Sequence, residues 1–167
     1  MKTFPPEIQF KYPWRKYQAR VLSELDEHLD DNHLHIIAPP GSGKTVLGLE
    51  VAIRLNKPTL VLTPTIAIRN QWIQRFCELF LQVSDTPEWI SRDVKAPAFL
   101  TVITYQSLHA ACSGIAAIED EAEEEHENGD EVENADKRKA KEVINRLQTQ
   151  QIGTIVVDEA HHLKNAW

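Results

Sequence analysis

Apolar and polar positions along the chain follow two periods, one typical of buried strands and one typical of helices. Four short apolar runs predict strands, at 34–38 (LHIIA), 59–63 (TLVLT), 98–105 (AFLTVITY) and 153–159 (GTIVVDE). Apolar residues at helical spacing predict helices over 18–29, 44–55, 66–80, 106–112 and 137–148. The segment 81–97, which contains two prolines, is predicted as a loop. Strands that alternate with helices predict an α/β fold, a parallel sheet with helices on both faces.

The first predicted strand runs into the stretch APPGSGKT, residues 38–45. A strand, a glycine-rich turn and a Lys-Thr pair that opens a helix form the arrangement of a phosphate-binding loop. Gly41 and Gly43 would let backbone N–H groups approach the phosphates, beside the positive end of the helix. Lys44 would contact the β- and γ-phosphates, and the Thr45 hydroxyl would bind Mg²⁺. The alternative is an ordinary strand–turn–helix connection, since Ala38 stands where the general motif has glycine.

The last predicted strand ends in two acidic residues, Asp158 and Glu159. Ligands of such folds lie beyond the carboxyl ends of the strands, where the phosphate-binding loop also lies. In phosphate-loop enzymes one acidic residue at this place holds Mg²⁺, and a neighbour can orient and deprotonate the attacking water. The alternative is a strand end with solvated acids. The two motifs together predict binding of MgATP or a similar nucleotide.

The acidic charge of the chain is concentrated in one segment. The 167 residues have a formal net charge of −7, yet residues 119–136 contain 11 of the 25 acidic residues and no lysine or arginine. The rest of the chain has 14 acidic and 18 basic residues, so its balance allows an anionic partner. This acidic insert is predicted to be a solvated loop or frayed helix. The alternative is a regulatory segment that mimics nucleic acid.

Length and composition point to one domain in the cytoplasm. No apolar run approaches the roughly 18 residues of a membrane span, and the N-terminus lacks the apolar core of a signal peptide, so no membrane partner is expected. Cys77 and Cys112 show no metal-ligand or redox spacing. Because Cys77 lies on the apolar face of a predicted helix, it is predicted to be a buried apolar side chain.

The two motifs also resemble those of a known family. APPGSGKT (38–45) and DEAH (158–161) resemble motifs I and II of superfamily 2 helicases and translocases of the DEAH or DExH kind, nearest the restriction-endonuclease translocase subunits. DEAHHLKN is also similar to chromatin-remodeller-type ATPases, which leaves the subfamily open. Alanine opens motif I in many members. The resemblance implies a RecA-like P-loop lobe over 13–167 that ends after motif II, preceded by an N-terminal extension, 1–12.

The same resemblance implies roles for individual residues. ATP and Mg²⁺ would be the cofactors, Lys44 and Glu159 would be catalytic, and Thr45 and Asp158 would bind the metal. The nucleotide would also contact the whole loop, namely Ala38, Pro39, Pro40, Gly41, Ser42, Gly43, Lys44 and Thr45. His161 would couple the nucleotide site to neighbouring motifs.

Three shorter stretches are similar to further motifs of this family. WRKYQ (14–18) looks like the Q-motif, which implies that Gln18, with Arg15, contacts the nucleotide. TPTIAIRNQW (63–72) resembles motif Ia and TYQSL (104–108) resembles the Ib/Ic region, both of which contact the nucleic-acid backbone in the family. The implied contacts are Thr63, Pro64, Thr65, Arg69, Thr104, Tyr105 and Gln106. Local alternatives are a surface role for Gln18 and a helix cap at Thr65.

The resemblance implies an ATP hydrolase that moves on nucleic acid, with DNA favoured over RNA. Family members carry a second lobe with the arginine finger, so the chain alone is expected to turn ATP over very slowly or not at all. A nuclease or modification subunit is a further possible partner. Two other functions stay open: a nucleotide-dependent switch or assembly ATPase that does not translocate, and a phosphate-loop ATPase that acts on proteins or small molecules.

Overall fold

The computed structural model describes residues 3–28, 33–37, 41–113 and 129–159. Its elements in chain order are α1 (Lys16–Asp26), α2 (Lys44–Leu55), β1 (Thr59–Thr63), α3 (Ile66–Phe76), a π-helical turn (Cys77–Leu81), β2 (Ile90–Ser91), β3 (Leu100–Thr104), α4 (Tyr105–Ser113), α5 (Gly129–Thr149) and β4 (Thr154–Val157). Within these ranges no helix is both long enough and apolar enough to cross a membrane.

The described strands form one parallel sheet in the order β2-β3-β1-β4. β1 is paired on both sides, with Val61 opposite Val102 of β3 and opposite Val156 of β4. β2 pairs with β3 at the other edge, also in parallel. The predicted α/β fold with a parallel sheet is therefore confirmed. Because the strands are parallel, the carboxyl ends of β1, β3 and β4 lie at the same end of the sheet. The predicted site residues follow these strand ends.

Helices cover both faces of the sheet, as predicted. Successive strand residues point to opposite faces, so Val61 and its neighbour Leu60 join different apolar clusters. Val61 packs with side chains of α2 and α3, including Ile73. Leu60 packs on the other face with Ile103 of β3 and Val143 of α5. The two faces are thus covered by different helix pairs, α2 with α3 and α4 with α5.

An aromatic cluster joins residues near the N-terminus to the sheet. Phe4 is buried, and its ring meets Phe76, Trp89 and Phe99 in edge-to-face geometry at centroid distances of 6.0, 6.0 and 4.7 Å. Its backbone N–H also donates to Asn56 Oδ1 at 2.7 Å. Part of the segment that we predicted as an N-terminal extension therefore packs onto the lobe.

Cys77 is buried, as predicted, and begins the π-helical turn that continues α3. Burial raises the pKa of its thiol. The predicted helix over 66–80 therefore changes its hydrogen-bonding pattern at Cys77, which keeps both Cys77 and Phe80 in the core. Single π-helical turns are found mostly inside α-helices.

The predicted strand over 34–38 is wrong for residues 34–37, to which the structure assigns no strand. Leu34 and Ile36 pack against α1 and α2, while Ile37 is 97 % exposed. A strand needs a neighbour for its backbone hydrogen bonds, and no described strand pairs with this segment. Ala38 lies outside the described residues. The acidic insert is described only from residue 129, where the backbone of α5 begins.

Candidate nucleotide-binding site

The carboxyl end of β4 lies beside the start of α2, which brings the two predicted motifs together. Lys44 is the first residue of α2, and Glu159 follows β4 by two residues. Lys44 Nζ lies 3.5 Å from Glu159 Oε1, and each side chain is about one-third exposed, at 32 %. A lysine and a glutamate 115 positions apart in sequence thus form an ion pair at the carboxyl end of the sheet, where ligands of such folds bind.

The backbone before α2 has the geometry of an anion-binding turn. Gly41 and Gly43 have φ values of +73° and +89°, in the left-handed region that glycine adopts without strain. Gly43 is the N-cap residue of α2 and has no side chain to bond the first N–H groups of the helix. Ser42 Oγ is buried, and within the described part of the chain it has no hydrogen-bond partner. The helix start and the Ser42 hydroxyl therefore suit phosphate oxygens.

The buried side chain of Gln18 is hydrogen-bonded to this turn. It is 5 % exposed, its Oε1 accepts from the Arg15 backbone N–H at 3.1 Å, and its Nε2 donates to the Ser42 carbonyl oxygen at 3.4 Å. A Cβ atom at Gly43 would lie 2.8 Å from Gln18 Nε2, so a larger residue there would displace Gln18. Gln18 is therefore not the surface residue of the local alternative. The Arg15 side chain is exposed.

Asp158 is held by three hydrogen bonds from neighbouring elements. Its backbone N–H donates to the Leu62 carbonyl oxygen at 2.9 Å, which extends the pairing of β4 with β1. The Trp72 indole Nε1–H donates to Asp158 Oδ2 at 2.7 Å, and the Tyr105 hydroxyl donates to the Asp158 carbonyl oxygen at 2.5 Å. Burial, together with the charges of Asp158 and Glu159, raises the pKa of Tyr105 to about 12. Tyr105 is therefore a neutral hydrogen-bond donor at physiological pH.

Glu159 leaves the strand with a φ of +54°, in the left-handed region that is uncommon for residues other than glycine. Such backbone conformations cost energy and cluster at functional sites. Here the conformation accompanies the ion pair with Lys44.

The residues at this end of the sheet fit a bound MgATP. Mg²⁺ in nucleotide enzymes is held by one or two protein groups together with substrate phosphates and waters. Thr45 and Asp158 would supply those groups. Within the described ranges no cluster of three or more histidine, cysteine or acidic residues could hold a metal ion. Ala38, Pro39, Pro40 and His161 lie outside the described residues.

Comparison with known proteins identifies the family. The family model described as "Type III restriction enzyme, res subunit" matches residues 11–167. The chain belongs to this family. It has the RecA-like P-loop fold of a superfamily 2 helicase motor lobe, so the predicted family and fold are confirmed.

A curated relative is similar over part of its length. The protein named "DNA 3'-5' translocase XPB2" from Sulfurisphaera tokodaii (strain DSM 16993 / JCM 10545 / NBRC 100140 / 7) is 30 % identical over 104 residues. The match covers 62 % of this chain and 22 % of the relative. The chain thus matches about one-fifth of that translocase.

The nucleic-acid contacts implied by the resemblance to motifs Ia and Ib/Ic differ in their exposure. Thr63 and Thr104 are buried, and their hydroxyls bond the Ile103 carbonyl oxygen at 3.1 Å and Ser107 Oγ at 2.8 Å. Thr65 caps α3, as the local alternative predicted, by accepting from the Ile68 N–H at 3.2 Å.

The remaining implied contacts also divide by exposure. Gln106 is exposed, like Thr65, while Pro64 and Arg69 are half-buried. Tyr105 is 8 % exposed, and its hydroxyl donates to the Asp158 carbonyl oxygen. Thr65 and Gln106 are therefore the two exposed members of this set of seven.

Trp72 is a residue of the candidate site that no sequence motif indicated. Its helical spacing with Ile73 and Phe76 indicated a core position, and Trp72 is indeed buried. No sequence signal pairs it with Asp158, because the two residues lie 86 positions apart. A buried tryptophan requires a partner for its N–H group, and this requirement was the one available hint.

Proposed function

We propose that the chain is the ATP-binding lobe of an ATP-dependent helicase or translocase that moves on nucleic acid, with DNA favoured over RNA. The ion pair of Lys44 and Glu159 carries the proposal, because it unites the loop and strand-end motifs at one point. The translocase named among the relatives supports the choice of DNA. The fold of the res-subunit family supports a motor lobe.

The proposed roles follow from the position of each group. The N–H groups at the start of α2, Ser42 and Lys44 would hold the nucleotide phosphates. Thr45 and Asp158 would hold Mg²⁺. When bound, Mg²⁺ would neutralise charge on the β- and γ-phosphates.

Glu159 would orient the attacking water and accept its proton. Because Glu159 and Lys44 are paired in this structure, the γ-phosphate would compete with Glu159 for the Lys44 ammonium group. Phosphate binding would then release the Glu159 carboxylate from Lys44.

Exposed groups after β1 and β3 would contact the nucleic-acid backbone. Thr65 and Gln106 are exposed at the end of the sheet that carries Asp158. Hydroxyl and amide side chains commonly contact phosphate oxygens. The half-buried Pro64 and Arg69 complete the proposed set of contacts, whereas Thr63, Thr104 and Tyr105 are buried and would act by supporting the ends of β1 and β3. A cytoplasmic location, the coupling role of His161 and a partner nuclease or modification subunit belong to the same proposal.

The test is ATP hydrolysis by the full-length protein alone and with single-stranded DNA, duplex DNA or RNA, each at a fixed salt concentration. Salt must be fixed because contacts with phosphates weaken steeply as salt rises. Stimulation by DNA supports the proposal. Stimulation by RNA alone would mean that the protein moves on RNA instead of DNA. Hydrolysis that no nucleic acid alters would favour the switch or assembly ATPase instead.

A further inference from the structure

The Trp72 indole lies where helix α2, helix α3 and the end of β4 meet. Trp72 belongs to α3, is 2 % exposed, and donates its Nε1–H to Asp158 Oδ2 at 2.7 Å. The far edge of the same ring faces Gly48 of α2, where an added Cβ would lie 2.6 Å from Trp72 Cη2. One rigid side chain thus contacts the helix that begins with Lys44 and the carboxylate proposed to bind Mg²⁺.

This geometry fixes the direction of the hydrogen bond. Tryptophan has a single donor, Nε1–H, and no acceptor. Because Gly48 leaves no room for a Cβ atom beside the ring, the indole is closely confined between α2 and β4. The N–H group therefore reaches Asp158 from one direction. An ionised carboxylate has about four acceptor sites, so this bond orients Asp158 and leaves capacity for a cation.

We propose that Trp72 is a positioning residue for Asp158, through which α2 and α3 set the orientation of the metal-binding carboxylate. This inference rests on the proposed nucleotide site. Partners of metal ligands act by fixing ligand orientation, and their loss typically weakens metal affinity or activity 10- to 100-fold. A change in the position of α3 would move the Trp72 N–H group and therefore the Asp158 carboxylate.

Trp89 provides a matched comparison within the same apolar cluster. Its half-buried indole packs edge-to-face against Phe4, Phe76 and Phe99 at centroid distances of 6.0, 5.9 and 6.5 Å. Replacing either tryptophan by phenylalanine shortens one aromatic side chain of the cluster, although Trp72 is 2 % exposed and Trp89 is half-buried. Trp72→Phe alone also removes the hydrogen bond to Asp158.

The experiment measures equilibrium affinity for a fluorescent ATP analogue in the full-length protein, once with Mg²⁺ and once with EDTA. Mg²⁺ should raise the affinity of the wild type, and we expect this gain to be smaller by a factor of about ten or more in Trp72→Phe. The affinity measured in EDTA should be unchanged. Trp89→Phe should keep the gain of the wild type. An unchanged gain in folded Trp72→Phe would overturn the proposal, and so would equal losses in the two variants.

Gly48→Ala tests the same contact from the opposite side and retains the indole N–H group. Its new Cβ would push the ring away from its present place, so the gain from Mg²⁺ should fall here as well. In the double variant with Trp72→Phe the two losses should not add, because both act through one contact. If Trp72→Phe does not fold, Gly48→Ala decides, and an unchanged gain overturns the proposal.

The wild-type measurement separates this inference from the proposed function. If the wild type binds no nucleotide, or binds it equally with Mg²⁺ and with EDTA, the proposed site is wrong and the role of Trp72 falls with it. If the wild type gains affinity from Mg²⁺ and Trp72→Phe gains as much, the site stands and only the role of Trp72 is wrong.

Discussion

The central strands and the strand that carries the acidic residues differ in how they are held. All five residues of β1 and all five of β3 are buried. In β4 half-buried and exposed residues alternate, with Ile155 at 61 % and Val157 at 39 % exposure. β1 has hydrogen-bonded neighbours on both sides, whereas β4 is paired with β1 alone among the described strands.

This difference separates stability from the geometry of the site. Burial of apolar side chains is the main favourable contribution to folding, and here it is concentrated in β1, β3 and the helices that cover them. The end of β4 is held instead by single polar contacts: the Asp158 bonds with Trp72 and Tyr105, and the ion pair of Lys44 with Glu159. We therefore expect substitutions in the two regions to affect different properties.

The largest expected difference in stability is between two isoleucines on the same face of the sheet. Ile103 in β3 is fully buried, while Ile155 in β4 is 61 % exposed. Ile103→Ala should lower the free energy of unfolding by about 2–5 kcal/mol, since it leaves a cavity in the core. Ile155→Ala should change it by less than about 0.5 kcal/mol. Chemical denaturation followed by circular dichroism measures both values.

The same substitution at two sites controls for residue type. A loss in Ile155→Ala as large as that in Ile103→Ala would mean that β4 is packed as closely as the central strands in the folded protein. The contrast between the two regions would then be wrong.

A smaller effect is expected from the contact between Tyr105 and the end of β4. The pKa of Tyr105 is about 12 in the folded protein and about 10 when unfolded, so below pH 10 both states hold the proton. As the pH rises from 10 to 12, Tyr105 loses its proton first in the unfolded state. This favours the unfolded state, so the free energy of unfolding falls. Between pH 9 and 11.5 the loss is about 2 kcal/mol. Denaturation of wild type and Tyr105→Phe at both pH values isolates it.

Tyr105→Phe should lose less stability than the wild type over this pH range. Tyr12→Phe is the control, because Tyr12 is 53 % exposed. If Tyr105→Phe and the wild type lose stability equally, the hydroxyl of Tyr105 is not held in its neutral form at the end of β4.

Sequence periodicity predicted some elements closely and others poorly, and α5 begins eight residues before the helix predicted over 137–148. α2 and β1 have the predicted bounds, because a helix that opens at Lys44 and a five-residue apolar run are clear patterns. β2 was placed in a predicted loop, since two residues, Ile90 and Ser91, cannot display a period. The apolar run at 34–37 has the composition of a strand but packs against helices, because backbone pairing depends on neighbours that a local pattern does not specify.

The candidate site shows the same limit. The loop around Lys44 and the acidic pair after β4 could be predicted, because each motif is local in sequence and its chemistry requires those residue types. The contact of Trp72 with Asp158 could not, since it depends on how α3 packs against α2 at Gly48. Gln18 was assigned to the nucleotide by resemblance, and its contact with the Ser42 carbonyl oxygen emerged only from the fold.

The central claim is that Lys44 and Glu159 act at one nucleotide site, and Glu159→Gln in the full-length protein tests it most directly. Glutamine keeps the size of the side chain but cannot accept the proton of the attacking water, so ATP affinity should persist while hydrolysis falls to background. Affinity for a fluorescent ATP analogue and the rate of phosphate release are measured on the same preparation. Hydrolysis at the wild-type rate would contradict the account, because another group would then activate the water.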